Sequence, residues 1–240
     1  MTWSIVARDP AGQLGIAIAS RFFAVGALTM HTRALRGALS TQALMNPLFG
    51  PHGLRSFEAG GTASEVLSDL LERDPGRAHR QVHAIGAEGP PAAHTGACCV
   101  DWCGHRLEAE FSVAGNMLAG PQVVDATADA YLANPRLPFA ARLLCALRAG
   151  DAAGGDKRGK QAAALRIQAD EEYPQLDLRV DDHPDPIAEL ARLLDKSLER
   201  YQPFVACLPG RRSPEGITDR DEIEARVRAF QAARAVGEGP

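Results

Sequence analysis

Two short apolar segments joined by a turn open the sequence: Thr-Trp-Ser-Ile-Val-Ala at residues 2–7 and Leu-Gly-Ile-Ala-Ile-Ala at residues 14–19. The residues between them include Asp-Pro-Ala-Gly at 9–12, a run of turn-forming residues. Two short apolar runs around such a turn predict a β-hairpin. The chain therefore begins inside a sheet, and Thr2 is the first residue of the first strand.

Strand-like and helical patterns follow one another along the rest of the chain. Thr62 and Glu65 form a capping box that predicts a helix start, while Asp185 and Pro186 predict another as an N-cap and a first-turn proline. Gly150 is predicted to end the helix before it. Such an order predicts an α+β protein with helices layered on antiparallel sheets. An apolar run covers 34–41. Strands are predicted at 81–85, 92–95, 107–114, 162–167 and 176–180, helices from 62, at 118–132, at 138–148 and from 186, and a Pro/Gly-rich loop at 46–53.

The composition excludes several classes of partner. The 240 residues are 45% apolar and 23% charged, with a formal net charge of -4, which is typical of a soluble globular protein. Acidic and basic residues are interspersed, so the sequence predicts no basic face for nucleic acid or a membrane. The longest mostly apolar stretch, residues 22–30, is too short to span a bilayer. Five cysteines, an odd number, favour reduced thiols and a cytoplasmic location.

The domain organisation is predicted from the order of the elements. One domain is expected over residues 1–200, with a C-terminal extension at 201–240. That extension would consist of a linker at 208–216 and a charged helix at 221–233.

Three segments resemble known kinds of site but lack the context that those sites need. Residues 154–160 have the glycine and lysine spacing of a P-loop, but Gln161 stands where a magnesium-binding Ser or Thr is needed. The predicted helix also precedes this segment and a strand follows it, the reverse of a P-loop. Histidines and cysteines between residues 94 and 105 lack paired C-x2-C spacing, and capping or turn formation explains the acids at 181–185. Neither a metal site nor a cofactor is predicted.

Thr2 is the main candidate for chemistry. The initiator methionine is removed when the next residue is small, and its removal would give Thr2 a free α-amine that titrates at about pH 7.7–8.0. That amine can accept the proton of the threonine hydroxyl and so activate it as a nucleophile. A single residue would then supply both the nucleophile and the base.

Six segments in order carry a resemblance to a known superfamily. With them the chain resembles the N-terminal-nucleophile (Ntn) hydrolases, and most closely a bacterial family assigned to that fold, domain-of-unknown-function family 1028, over nearly all of residues 1–200. A wider likeness is to proteasome-type subunits, which implies a four-layer αββα sandwich. The segments are T-W-S-I-V-A-R-D-P at 2–10, S-R-F-F-A-V-G at 20–26, S-T-Q-A-L-M-N-P at 40–47, G-N-M-L-A-G-P at 115–121, G-G-D-K-R-G-K-Q at 154–161 and D-L-R-V-D-D-H-P-D-P at 177–186.

The resemblance implies roles for residues near Thr2. In the likeness, the second strand ends near Ser20, where such proteases carry an acid, and a cation follows further along the chain. Candidates for that cation are Arg21 and Arg33. This chain has no acid at Ser20 and so departs from the charge network of those proteases. Arg21 could still lower the pKa of the α-amine and stabilise negative charge.

Further roles are implied for the loops around the nucleophile. Backbone N–H groups of Thr41, Gln42 and Ala43 are expected to form the oxyanion hole. Asn116 would orient the α-amine or an acyl oxygen, and Asp156 would support the terminal amine.

Structural roles also fit several of these residues. Gln42 and Asn46 could tie down a loop, Asn116 could cap the following helix, and Asp156 could form an Asx turn. Loop side chains expected to contact a substrate are Phe22, Phe23, Asn46, Phe49 and His52.

The resulting prediction is an enzyme that hydrolyses an amide bond of a small molecule or short peptide through an acyl-enzyme on Thr2, and that forms a homo-oligomer. Two alternatives stay open at this point. The chain could be an inactive binding protein that keeps the sandwich and its pocket, or a structural subunit of a larger assembly.

Overall fold

The hairpin at the start of the sequence lies at the centre of a six-stranded antiparallel sheet. This is seen in a computed structural model, which describes residues 2–235. The strands are β1 (Thr2–Arg8), β2 (Leu14–Ser20), β7 (Gly104–Leu107), β8 (Phe111–Asn116), β9 (Ala162–Gln168) and β10 (Leu176–Val180). Their order is β10-β9-β2-β1-β8-β7, so β1 has a hydrogen-bonded partner on both sides.

A second antiparallel sheet of four strands packs against the first. Its strands are β3 (Met30–Arg33), β4 (Gly37–Ala43), β5 (Arg80–Gly86) and β6 (Ala92–Thr95), in the order β3-β4-β5-β6. β1 contacts β4 and β5, and β8 contacts β5. Apolar side chains such as Val6, Ile16, Ile18 and Ile85 form a buried cluster between the two sheets.

Helices cover both outer faces. The helices of the described chain are α1 (Gly26–Thr29), α2 (Phe49–Glu58), α3 (Ala63–Glu72), α4 (Gln122–Ala133), α5 (Phe139–Ala152), α6 (Pro186–Ser197), α7 (Tyr201–Val205) and α8 (Arg220–Ala235). α2 and α3 pack on the four-stranded sheet, while α4 and α5 pack on the six-stranded one. The layers therefore run α, β, β, α, and the predicted α+β four-layer sandwich is confirmed. No helix in the described part of the chain is long and apolar enough to cross a membrane.

The predicted loop at 46–53 is wrong in its second half, because α2 begins at Phe49. Pro51 is tolerated in the first turn, where its missing N–H would have no helical partner. A Cβ at Gly53 would lie 2.6 Å from the Leu39 side chain. The glycine there marks a close approach of helix and sheet.

Gly150 was also predicted wrongly as a helix stop, since α5 continues to Ala152. A Cβ at Gly150 would lie 2.2 Å from Thr127 Oγ1 and 2.7 Å from Trp3 Nε1. The glycine is needed because α5 approaches α4 and β1 closely there.

Other differences concern short elements. The sequence patterns did not predict α1 or β3, and the predicted strand at 107–114 is two strands, β7 and β8, joined by a turn.

The chain groups into two compact units, one ending at Leu190 and one beginning at Ala191. In the second unit α7 contacts α8, and Arg200 and Glu224 form an ion pair of 2.5 Å. The boundary predicted at residue 200 stays a prediction.

Candidate functional site

Thr2 lies at the end of the central strand, between two neighbouring strands. Its register partners are Ser20 at the end of β2 and Asn116 at the end of β8. Thr2 is 5% exposed, and its hydroxyl donates a hydrogen bond of 3.0 Å to Ser20 Oγ. Thr2, the predicted nucleophile, is thus fixed at one end of the sandwich. We call this end the Thr2 end.

A continuous chain of hydrogen-bonded polar side chains crosses from one sheet to the other below Thr2. It belongs to β1, β4, β5 and β8, and every member is buried. Buried polar groups are expensive unless they are satisfied, and a satisfied network rigidifies its surroundings. We call this network the interior polar chain; its members, in order, are Ser112, His83, Ser4, Gln42, Gln81 and Asn116.

The first half of the interior polar chain fixes the tautomer of His83. The Ser4 hydroxyl donates its single proton to Gln42 Oε1 at 2.7 Å. His83 Nε2 lies 2.7 Å from the same hydroxyl oxygen, so we assign the ring proton to Nε2. Nδ1 then accepts from the Ser112 hydroxyl at 2.8 Å. Burial lowers the pKa of His83 to about 3, which keeps the ring neutral.

The second half ends beside Thr2. Gln81 Oε1 accepts from Gln42 Nε2 at 2.8 Å and from Asn116 Nδ2 at 3.0 Å. Gln81 Nε2 donates to the Gly115 carbonyl at 2.8 Å. Asn116 therefore does not cap α4, and Gln42 joins two strands rather than tying down a loop. Gln81 is the centre of this arrangement.

The segment predicted to form the oxyanion hole has an open side. β5 pairs with Thr41, Gln42 and Ala43. β3, on the other side of β4, pairs only as far as Ser40. Within residues 2–235, no strand pairs with this segment on that second side. Thr41 and Gln42 are buried, and Ala43, the last residue of β4, is partly exposed.

Asp156 and Arg21 are joined to each other beside the Thr2–Ser20 pair. Asp156 is buried, and its carboxylate accepts from the backbone N–H of Arg21 at 3.2 Å and of Arg158 at 2.9 Å. The second contact is the Asx turn that the sequence allowed. The Arg21 guanidinium is exposed and donates to the Arg158 carbonyl. Arg33 lies elsewhere and pairs with Glu58.

The residues predicted to contact a substrate differ in how exposed they are. Phe22 and Phe23 are 49% and 62% exposed in the loop that follows Ser20. Phe49, by contrast, is 2% exposed and belongs to the apolar cluster under α2 and α3. His52 is exposed on α2.

Asn46 holds the loop that follows β4. Its amide nitrogen donates to Asp74 at 3.2 Å, and its oxygen accepts from the Leu48 N–H at 3.1 Å. The Thr41 hydroxyl accepts from the Asn46 N–H at 3.3 Å. Asn46 therefore has the loop-tying role that the sequence left open for it.

A polar cavity opens next to Ser20. It has a volume of about 470 Å³, and the backbone N–H of one wall residue, Gln161, donates to the Ser20 carbonyl at 2.9 Å. Thr2 is not part of its wall. The wall residues are Arg21, Lys160, Gln161, Asp182, His183 and Pro184.

Backbone strain is concentrated at the Thr2 end. Ala24, Ala43 and Met117 have φ angles of 51°, 67° and 53°. Ala24 and Met117 follow β2 and β8, the two strands that flank Thr2, and Ala43 is the last residue of β4. In the described chain one further non-glycine residue has a positive φ: Leu35, in the β3–β4 turn. Left-handed conformations are unfavourable for residues other than glycine and often mark functional sites.

Four buried polar residues of this region were not predicted from the sequence. They are Ser4, Gln81, His83 and Ser112. Each lies two positions along its strand from another polar residue or from a small one. That pattern usually indicates the solvent side of a strand. Only the second sheet, packed over this face, turns it into an interior.

No metal-binding arrangement is present in the part of the chain that the structure describes: no three His, Cys, Asp or Glu side chains there could hold an ion.

Comparison with known proteins identifies the family. No curated protein matches the chain. The crystal structure of protein SPO2555 from Silicibacter pomeroyi, assigned to DUF1028, is 31% identical with a TM-score of 0.84, covering 91% of this chain and 96% of that one. Anbu (ancestral beta-subunit) from Yersinia bercovieri is 14% identical with a TM-score of 0.41, covering 87% and 98%. Residues 2–190 match a family of unknown function, DUF1028. The chain belongs to this family.

Proposed function

We propose that the protein is an N-terminal-nucleophile amidohydrolase, which cleaves an amide bond of a small molecule or short peptide through an acyl-enzyme on Thr2. One observation carries this proposal: the Thr2 hydroxyl is hydrogen-bonded to Ser20 at the end of the central strand, between the ends of β2 and β8. A nucleophile needs a fixed position, and a strand paired on both sides provides one.

In the proposed reaction, removal of Met1 frees the α-amine of Thr2. The amine takes the proton of the hydroxyl, directly or through a water, while the oxygen attacks the amide carbon. The same proton passes to the leaving nitrogen when the C–N bond breaks, which leaves an ester on Thr2. Water then hydrolyses the ester and restores the hydroxyl.

The unpaired side of Thr41, Gln42 and Ala43 supports a site for the developing oxyanion. Backbone N–H groups fixed in advance can stabilise such a charge by about 3–4 kcal/mol. Asn116, held by Gln81, is the strand partner of Thr2 and is proposed to orient the amine or the acyl oxygen.

Arg21 is proposed to stabilise negative charge at the mouth of the site. Its backbone is bound by Asp156, and its side chain lines the polar cavity next to Ser20. Phe22 and Phe23, exposed in the same loop, are proposed to contact the apolar part of a substrate.

Intact-mass spectrometry followed by labelling tests the proposal. The purified protein should lack Met1, and a β-lactone probe should add its full mass to Thr2, since the hydroxyl opens the lactone ring to give an ester. Thr2→Ser and Thr2→Ala are matched variants, because a small second residue allows methionine removal in both.

We expect labelling of the Thr2→Ser variant and none of the Thr2→Ala variant. The Thr2→Ala variant should lose only about 1 kcal/mol of folding stability, the usual net contribution of one hydrogen bond. Retained Met1, or equal labelling of the Thr2→Ala variant, contradicts the proposal.

A second candidate function is ligand binding without catalysis. Thr2 is only 5% exposed, and a serine stands at position 20. This candidate predicts a folded protein that keeps Met1 or that no β-lactone acylates.

The remaining predictions can be tested separately. A homo-oligomer should be visible by light scattering coupled to size-exclusion chromatography. Cytoplasmic location, the absence of nucleic-acid or membrane partners, and a domain boundary at residue 200 also stay predictions.

A further inference from the structure

A cavity of about 800 Å³ lies at the end of the sandwich opposite Thr2. Its wall includes Arg8, the last residue of β1, whereas Thr2 is the first. Six residue steps along a strand correspond to about 20 Å. The volume is within the range of small-molecule sites, and the cavity is separate from the site proposed above.

Several charged groups of the wall are already engaged. Arg8 pairs with Glu110 at 2.6 Å, and its guanidinium also donates to the Gly86 and Gly89 carbonyls at 2.9 and 3.3 Å. These contacts leave Arg8 little capacity for a ligand.

Two further wall acids have structural partners. Glu108 pairs with Arg106 at 2.9 Å. Asp9 accepts from the backbone N–H groups of Ala11 and Gln13 at 3.0 and 2.8 Å. They shape the cavity and add negative charge to it.

Arg142 is a cation of the wall whose guanidinium is only partly used in hydrogen bonds. Its guanidinium stacks 3.7 Å from the centroid of the Tyr131 ring, and Nε donates to the Tyr131 carbonyl at 2.7 Å. Across residues 2–235 its two terminal amino groups have no hydrogen-bond partner. A guanidinium fixed by stacking, with its terminal groups available, is suited to bind a carboxylate.

Tyr131 adds an unused hydrogen-bonding group. Its hydroxyl is buried and has no partner within the described chain. Burial raises the pKa of Tyr131 to about 12, so this hydroxyl is a donor at neutral pH.

Glu88 is an acid of the wall whose carboxylate can accept hydrogen bonds from a ligand. It is exposed at the rim, and nothing else in residues 2–235 forms a hydrogen bond or ion pair with its carboxylate. The wall as a whole holds four acids and two arginines, namely Asp9, Glu88, Glu108, Glu110, Arg8 and Arg142. This excess of acids disfavours a simple anion.

We propose that this cavity binds a zwitterion with an apolar body: a free amino acid or dipeptide with apolar side chains. Its carboxylate pairs with Arg142, its ammonium faces Glu88 and the other acids, and its side chain packs against Phe111 and Leu132. The proposal does not depend on the reaction at Thr2.

Isothermal titration calorimetry of the full chain tests this with L-leucine and Leu-Leu as probes. N-acetyl-leucine lacks the ammonium, and leucinamide lacks the carboxylate. We expect at least one zwitterion to bind, and each single-charge analogue to bind about tenfold or more weakly, because a charge-assisted contact is lost. This comparison uses the unaltered protein, so it does not depend on a variant folding.

Variants then assign the site. Arg142→Gln should weaken binding of the zwitterion about tenfold or more, and Glu88→Gln should weaken it less because Glu88 is exposed. Arg148→Gln is the matched control, an exposed arginine on the same helix outside the wall, and should bind normally. No heat with either zwitterion, equal binding of N-acetyl-leucine, or unchanged binding by a folded Arg142→Gln variant would each overturn the proposal.

Discussion

Asn116 on one sheet donates a hydrogen bond of 3.0 Å to Gln81 on the other. Asn116 is the strand partner of Thr2, so a residue of the second sheet fixes the surroundings of the proposed nucleophile. Gln81 also accepts from Gln42, and it is fully buried. One side chain thus ties both sheets together at the Thr2 end.

Replacing Gln81 with alanine should lower the free energy of unfolding by about 2–4 kcal/mol, because the amides of Gln42 and Asn116 would be buried without their acceptor. Urea denaturation followed by tryptophan fluorescence measures this. Gln175→Ala, an exposed glutamine, is the control and should change stability by less than about 0.5 kcal/mol. Similar stabilities for the two variants would show that the contacts of Gln81 contribute little.

The Ser20→Ala variant tests whether the Thr2 hydroxyl needs its partner. The change removes the acceptor of the Thr2 hydroxyl, and the loss of such a hydrogen bond should lower stability by about 1 kcal/mol. Labelling of Thr2 by a β-lactone should slow about tenfold or more, because the hydroxyl loses its fixed direction. Ser68→Ala, at an exposed serine of α3, should label at the normal rate. If the Ser20→Ala variant also labels normally, the hydrogen bond between Thr2 and Ser20 has no role in reactivity.

Acid should destabilise the protein in part through His83. Burial lowers its pKa to about 3 in the folded state, from an ordinary value of 6.5. Between these values the unfolded chain binds a proton that the folded protein does not, so stability falls as pH decreases from 6.5 toward 3. The contribution is at most about 1.4 kcal/mol per pH unit.

Urea titrations at pH 7, 5.5 and 4.5 measure that contribution by comparison with His83→Gln, which cannot titrate. The variant should lose less stability on acidification than the unaltered protein. His52→Gln, at an exposed site on α2, serves as the control and should follow the unaltered protein. Parallel curves for all three proteins would exclude His83 as a source of the acid sensitivity.

Gly150→Ala should destabilise the protein by about 1–3 kcal/mol through overpacking. This is opposite to the usual gain from replacing a helical glycine with alanine. A Cβ would lie 2.2 Å from Thr127 Oγ1 and 2.7 Å from Trp3 Nε1. In the double variant with Thr127→Ala, the added loss from Gly150→Ala should be smaller, because one of the two contacts is gone. Thermal unfolding of the four proteins measures the coupling, and purely additive losses would contradict the packing argument.

The sequence predicted most of the strands and long helices because their signals are local. The hairpin of β1 and β2, the capping box at Thr62 and the N-cap before Pro186 each depend on residues a few positions apart. The prediction was wrong at glycines whose structural role depends on residues far away in the sequence. Gly150 and Gly53 look like loop or stop residues, yet they allow helices to approach Trp3 and Leu39.

The candidate site was predicted only in part for the same reason. Thr2 was identified from its position in the chain, and Asn116 and Gln42 through the family resemblance. Gln81 and His83 alternate with apolar residues, as in a strand with one face in water. Their hydrogen-bonding partners lie on other strands, so only the packing of the two sheets identifies them.

The left-handed residues at the Thr2 end have a consequence for engineering. Ala24, Ala43 and Met117 each hold a conformation that glycine adopts without penalty. A variant with glycine at these three positions would be a route to greater thermal resistance that alters no buried side chain of the interior polar chain. If such a variant gains stability while its reactivity at Thr2 declines, the side chains at these positions serve the reaction at a cost in thermal resistance.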